Sequence, residues 1–146
     1  MIVCETKKEL ENATNTGDAA GAVAVKEYVE GILTPVDVSN LITLISTLNT
    51  VTLVYAYKVN NLLFIQFKCD ADDDVTVSGG DDWGRATISG LSLKSDRLTA
   101  MCEYVLETDL ASIAYLTDTS IVFHALPFAV GDDGASAYAT FVALLN

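Results

Sequence analysis

The spacing of apolar residues changes once along this chain, and that change sets what it can fold into. Up to Asn49 the apolar positions recur every three or four residues; beyond it they alternate. The first spacing lines one stripe of a helix, the second one face of a strand. Val38, Leu41, Ile45 and Leu48 repeat at 3-4-3, the a/d seam of a short coiled coil, and Ile42 and Leu44 widen its apolar face. Ala22, Val25, Val29 and Ile32 show the same spacing one segment earlier, with Asp18 as an N-cap and Gly31 and Pro35 as stops. The polar positions of the 38–48 segment are Asn, Ser and Thr, weak helix formers, so an isolated helix there is marginal in water. Its stripe needs a cover, either the chain's own sheet or identical helices from other chains. The wide seam favours more than two strands. The expectation is a trimeric stem joined through Val38, Leu41, Ile42, Ile45 and Leu48.

Beyond Asn49, Val51, Leu53, Tyr55 and Tyr57 alternate, Val59-Asn60-Asn61 turns, and Leu62 to Cys69 returns. That is a β-hairpin. Short strand patterns follow at Val75–Val77, Trp83–Leu91, Leu98–Leu106, Ile113–Leu116, Ile121–Leu126 and Ala137–Leu145. Thr117-Asp118-Thr119-Ser120 makes a second hairpin turn. No helical crossovers separate these strands, which excludes a parallel α/β sheet. The expected class is α+β, mainly β: a helical stem over 1–49, then an antiparallel β-sandwich or jelly-roll-like domain over 50–146.

Charge narrows the function. The 146 residues hold 8 basic and 20 acidic side chains, a net charge of −12. Phosphate backbones are held by clustered Lys and Arg, so nucleic acid is excluded as a partner. An anionic membrane surface is disfavoured for the same reason. The longest uncharged run, Val38 to Tyr57, is broken by Ser, Thr and Asn and fails as a membrane span. Met1 to Lys8 has no apolar core of a secretory signal, so synthesis in the cytoplasm is expected. With 51% hydrophobic and 19% charged residues, the surface is short of charge, which points to apolar surface covered by a partner or by copies of the chain.

Nothing here assembles a catalyst. His124 is the only histidine, there is no GxSxG, and no glycine pattern cradles a phosphate. His124 reads as a structural residue within the strand IVFHAL. Cys4, Cys69 and Cys102 are odd in number and far apart, with no zinc spacing. The expectation is no enzyme, no cofactor and no metal. The run Asp70 to Asp74 reads as a solvated loop; a Ca²⁺ site is the alternative, although the EF-hand order fails. Trp83 stands beside Gly79-Gly80-Asp81-Asp82. An exposed ring beside carboxylates suits a sugar, the ring stacking and the acids accepting from hydroxyls. Asp72, Asp73, Asp74, Asp81, Asp82 and Trp83 are therefore the candidate ligand-binding residues.

The order of segments resembles a family. A helix DAAGAVAVKEYVEG leads to a second helix; the hairpin VTLVYAYKVNNLLFIQFKC, a strand ending in SGL, a hairpin across TDTS and the terminal strand YATFVALL follow. Over about residues 17–146 this resembles the C-terminal portion of tailed-bacteriophage tail-fibre, baseplate or receptor-binding proteins. Ser92 stands where that family often carries the proline of a Gly-Leu-Pro corner. The resemblance implies a virion structural protein, a homotrimer that contacts other virion proteins and a host-surface receptor such as a saccharide. It transfers no site residue. A capsid fibre or spike of the same architecture and a monomeric, non-viral β-sandwich binding module are the alternatives.

Overall fold

A computed structural model describes residues 29–30, 34–71, 77–104, 111–126, 130–131 and 136–146. The chain divides into two units, Met1–Pro35 and Val36–Asn146. In the first, Val29 and Glu30 have helical backbone, and the Thr34 N–H donates to the Glu30 carbonyl at 3.0 Å. The rest of the expected helix over 18–31 lies outside the described residues.

The second unit is built from strands: β1 (Val36–Asp37), β2 (Thr43–Leu48), β3 (Thr50–Val59), β4 (Leu62–Asp70), β5 (Val77–Ser78), β6 (Asp82–Ser89), β7 (Leu98–Tyr104), β8 (Ser112–Leu116), β9 (Ser120–Ala125), β10 (Val130–Gly131) and β11 (Ser136–Leu144). Nine of them form one antiparallel sheet in the order β1-β3-β4-β11-β7-β8-β9-β6-β2; β5 and β10 pair separately. The expected α+β class with a helical stem is thus corrected. Among the described residues there is no stem, and the β part is one curled sheet rather than two stacked ones.

Residues 38–48 carry the main correction. A single 3-10 turn, Ser39–Leu41, leads into β2, and no coiled-coil helix forms. Thr43, Ile45 and Thr47 are β-branched, which crowds a helix and suits a pleat. β6 supplies a ladder, from Thr43 opposite Ser89 to Leu48 opposite Arg85. A backbone paired along an existing strand outweighs a marginal local helix. The seam residues consequently scatter. Val38 is buried, its N–H on the Ala56 carbonyl at 2.9 Å, and Ile42 packs half-buried against the core. Leu41, Ile45 and Leu48 are exposed at 62%, 63% and 39%.

Two joints curl the sheet. Asn49, at φ +54°, turns the chain from β2 on one edge to β3 near the other. The Ser46 hydroxyl accepts the Val51 N–H at 2.9 Å and donates to the Val51 carbonyl, while the Asn49 amide donates to the Trp83 carbonyl. β7 forms the second joint: Leu98 to Met101 pair with β8, and Cys102 to Tyr104 pair with β11. The hairpin expected at Asn60-Asn61 closes β3 onto β4, with Asn60 at φ +56°. The concave side is the core, led by Phe67, Phe123, Leu63, Ile65, Leu116 and Ile121. Alanines on β11 and glycine on β6 let the layers approach. A Cβ on Gly84 would stand 2.3 Å from Cys69 Sγ, and one on Gly90, at φ +94°, 2.0 Å from the Leu41 carbonyl oxygen. Among the described residues no helix is long and apolar enough to cross a membrane.

Candidate functional site

Period-2 alternation decides which side chains the curled sheet turns outward. On β9, Ile121, Phe123 and Ala125 enter the core, so Val122 and His124 face out. On β8, Ala114 and Leu116 enter, so Ile113 and Tyr115 face out. β6 carries a bulge between Asp82 and Gly84, which places Asp82 opposite His124 and Arg85 opposite Val122. A diagonal array of five side chains results.

His124 Nδ1 lies 2.8 Å from Asp82 Oδ1, and Arg85 donates to the other oxygen of the same carboxylate. The Tyr115 ring is tilted against His124 with centroids 6.1 Å apart, and the Arg97 guanidinium lies 4.5 Å from the Tyr115 ring centre. Burial works to raise the Asp82 carboxyl, but the hydrogen bonds from His124 and Arg85 outweigh it and hold it below the usual carboxylate range. An ionised carboxylate only accepts. Nδ1 therefore carries the hydrogen, and Nε2 is the ring nitrogen left to meet a ligand. The array brings together both arginines of the chain and its only histidine. It offers a planar ring, two guanidinium groups and an imidazole on an open face. The hydrogen bond to Asp82 fixes the tautomer and orientation of the His124 imidazole. Cys102 is buried, and burial pushes its thiol up to about 12. Among the described residues no three His, Cys, Asp or Glu side chains converge as metal ligands.

The candidate residues read from sequence are dispersed. Asp72, Asp73 and Asp74 lie outside the described residues. Asp81 is exposed in the turn before β6, and its carbonyl accepts the Ala125 N–H at 2.8 Å. Asp82 joins the array. Trp83 is not an exposed stacking ring: it is 2% exposed, meets Phe123 edge-on at 5.6 Å, and donates from Nε1 to the buried Ser112 hydroxyl at 2.9 Å. The pleat sends Trp83 inward because its neighbour Asp82 faces out. Arg85, Arg97, Tyr115 and His124, the other members of the outward array, are not among the candidate ligand-binding residues read from the sequence. Alternation in SIAYL and SIVFHA was the available signal, since it sets Tyr115 and His124 opposite the apolar positions.

A second outer surface lies on β3, β4 and β11. Tyr57, Phe64 and Val142 form one cross-strand row, and Val59, Leu62 and Leu144 the next. Tyr57, Val142 and Leu144 are exposed at 42%, 54% and 48%. Towards the far end, Gln66 donates to the Thr140 hydroxyl at 2.9 Å and Lys68 pairs with Asp70 at 2.7 Å. Comparisons with protein families, with curated proteins and with solved structures find no match for this chain.

Proposed function

We propose that the chain is a non-enzymatic recognition protein of the tail-fibre or receptor-binding type, which takes a host-surface saccharide on the outer face of β6, β9 and β8. The observation that carries the reading is the array Arg97–Tyr115–His124–Asp82–Arg85. A sugar presents hydroxyls and any acidic substituent to guanidinium and imidazole donors, and its C–H face to an aromatic ring. An open sheet face suits one or two sugar units at low affinity, which multivalent display raises. The virion setting rests on the resemblance in segment order. The second helix of that order is corrected above; its hairpins and terminal strand remain.

The test is titration of a panel of host-surface glycans, followed by NMR shift changes. Binding should perturb Tyr115 and His124 and vanish in Arg97→Ala and Tyr115→Ala variants of unchanged circular dichroism. A panel with no binder, or binding that survives both substitutions, overturns the proposal.

A further inference from the structure

Positive charge is scarce in this chain and is not spread evenly over it. Against 20 acidic residues stand 8 basic ones, and both arginines belong to the outward array. The two are not equally engaged. Arg85 is held by the Asp82 carboxylate, which also takes the Nδ1 hydrogen of His124. Arg97 is exposed just before β7 and meets no carboxylate among the described residues. Its guanidinium lies 4.5 Å from the centre of the Tyr115 ring. A ring face attracts the charge but supplies no oxygen to the five N–H donors. We infer that Arg97 binds a carboxylate, so that the saccharide taken on this face is an acidic one, a uronic acid or another carboxylated sugar. The inference rests on the saccharide reading above and narrows it to one ligand class.

Charge balance and geometry select the carboxylate. The array sets two guanidinium groups against one carboxylate, and that carboxylate is spent on His124 and Arg85. Other acids of this surface do not complete Arg97. Glu103, outward on β7, is six residues away along the chain, about 20 Å at ~3.3 Å per residue. Asp118, in the turn between β8 and β9, accepts the Leu93 N–H at 2.6 Å. Asp96 adjoins Arg97 in sequence and forms no ion pair with it. The planar fork of a guanidinium matches the two coplanar oxygens of a carboxylate. A phosphate monoester brings nearly two charges, more than Arg97 alone neutralises. Tyr115 acts as a positioning residue: its ring meets the guanidinium and lies 6.1 Å from the His124 ring. With Nδ1 donating to Asp82, Nε2 of the neutral imidazole accepts, so it takes a hydroxyl and not a second carboxylate. The site therefore asks for one anionic group and a hydroxyl displaced from it on one small frame, which a carboxylated sugar supplies.

NMR titration of the full chain with matched sugar pairs tests the inference. The methyl glycosides of glucuronic, galacturonic, mannuronic and N-acetylneuraminic acid are each compared with their methyl esters, which keep every hydroxyl and lose the charge. Neutral members of the glycan panel run alongside. At least one acid should bind roughly tenfold or more tighter than its ester, the scale of a charge-assisted hydrogen bond. Arg97→Gln should bring that acid and its ester within a factor of about two, with circular dichroism unchanged. Tyr115→Phe should keep the preference for the acid, and Tyr115→Leu should reduce it. Lys94→Gln, the same change of charge on the exposed segment before β7, should leave the preference intact. Acids and esters that bind alike, or neutral glycans that bind while no acid does, overturn the inference and leave the saccharide reading standing. A preference that survives Arg97→Gln, or is lost equally in Lys94→Gln, also overturns the inference. A panel without any binder, acidic or neutral, overturns both.

Discussion

Substituting Trp83 by Phe tests whether the inward reading of β6 is right. The indole is 2% exposed and its Nε1 donates to Ser112, which is fully buried. Phenylalanine keeps the edge contact with Phe123 but shortens the ring. An apolar area of about 40 Å² lost at ~25 cal/mol per Å² is about 1 kcal/mol. The Ser112 hydroxyl then loses its donor inside the core, which adds about 1–3 kcal/mol. The expected loss is about 2–4 kcal/mol, a large share of the stability of a domain this size. Urea denaturation followed by far-UV circular dichroism measures it. Ser112→Ala in the Trp83→Phe background removes the orphaned hydroxyl, so the two substitutions should show a coupling of about 1–2 kcal/mol. In the wild type, acrylamide should quench the single tryptophan poorly until the chain unfolds. A loss below ~0.5 kcal/mol, the range of plain surface substitutions, together with ready quenching, would refute a buried Trp83.

Gly84→Ala should cost about 2 kcal/mol or more in thermal melts, because its Cβ would meet Cys69 Sγ at 2.3 Å and Phe123 Cβ at 3.2 Å in a packed core. Ile45→Asp should leave both mass and fold nearly unchanged, with a stability change within about 1 kcal/mol, since Ile45 is 63% exposed on an edge strand; a dissociated or unfolded product would restore a packed 38–48 segment. The Asp82 carboxyl lies below its ordinary 3.8, so its contribution to stability is complete above that pH and is lost as pH falls through the lower folded value. Asp82→Asn should therefore flatten the acid limb of a stability–pH curve and leave the alkaline limb alone. Burial pushes Cys102 from 9.0 and Tyr104 from 10.0 up to about 12, with Ser112 opposing the shift at Tyr104. Folding thus holds two protons that the unfolded chain releases, so stability is complete below pH 9 and declines above it; Cys102→Ala should lessen the decline.

Much of the strand framework was legible because alternation over β3, β4, β8, β9 and β11 coincides with β-branched and aromatic residues. Asn60-Asn61 and Thr117 to Ser120 supplied turn chemistry at the right places. The 38–48 segment was misread for a reason that lies outside the segment. Val38, Leu41, Ile45 and Leu48 satisfy helical spacing as well as any short run can, and only composition spoke against it. What decides the outcome is β6, some forty residues later, whose exposed edge pairs with Thr43 to Leu48. A spacing rule reads neighbours in sequence, whereas an edge strand is fixed by a partner in space. The curl was hidden likewise, since it depends on Asn49 adopting a left-handed backbone and on β7 dividing its pairing between β8 and β11.

The same division explains the surfaces. Trp83 was singled out by its neighbours in sequence, Asp81 and Asp82, yet a pleat sends adjacent side chains to opposite faces. Immediate adjacency along a strand is thus evidence against a shared surface. Arg97, Tyr115, His124, Asp82 and Arg85 come from four separate stretches, and only the strand order β7-β8-β9-β6 sets them side by side. A shortage of surface charge says that apolar side chains stand outside the core, but not where. Composition reports that 51% of the residues are hydrophobic. Register shows where the surplus stands: Val142 beside Phe64 beside Tyr57, on the side of the sheet that the core leaves open.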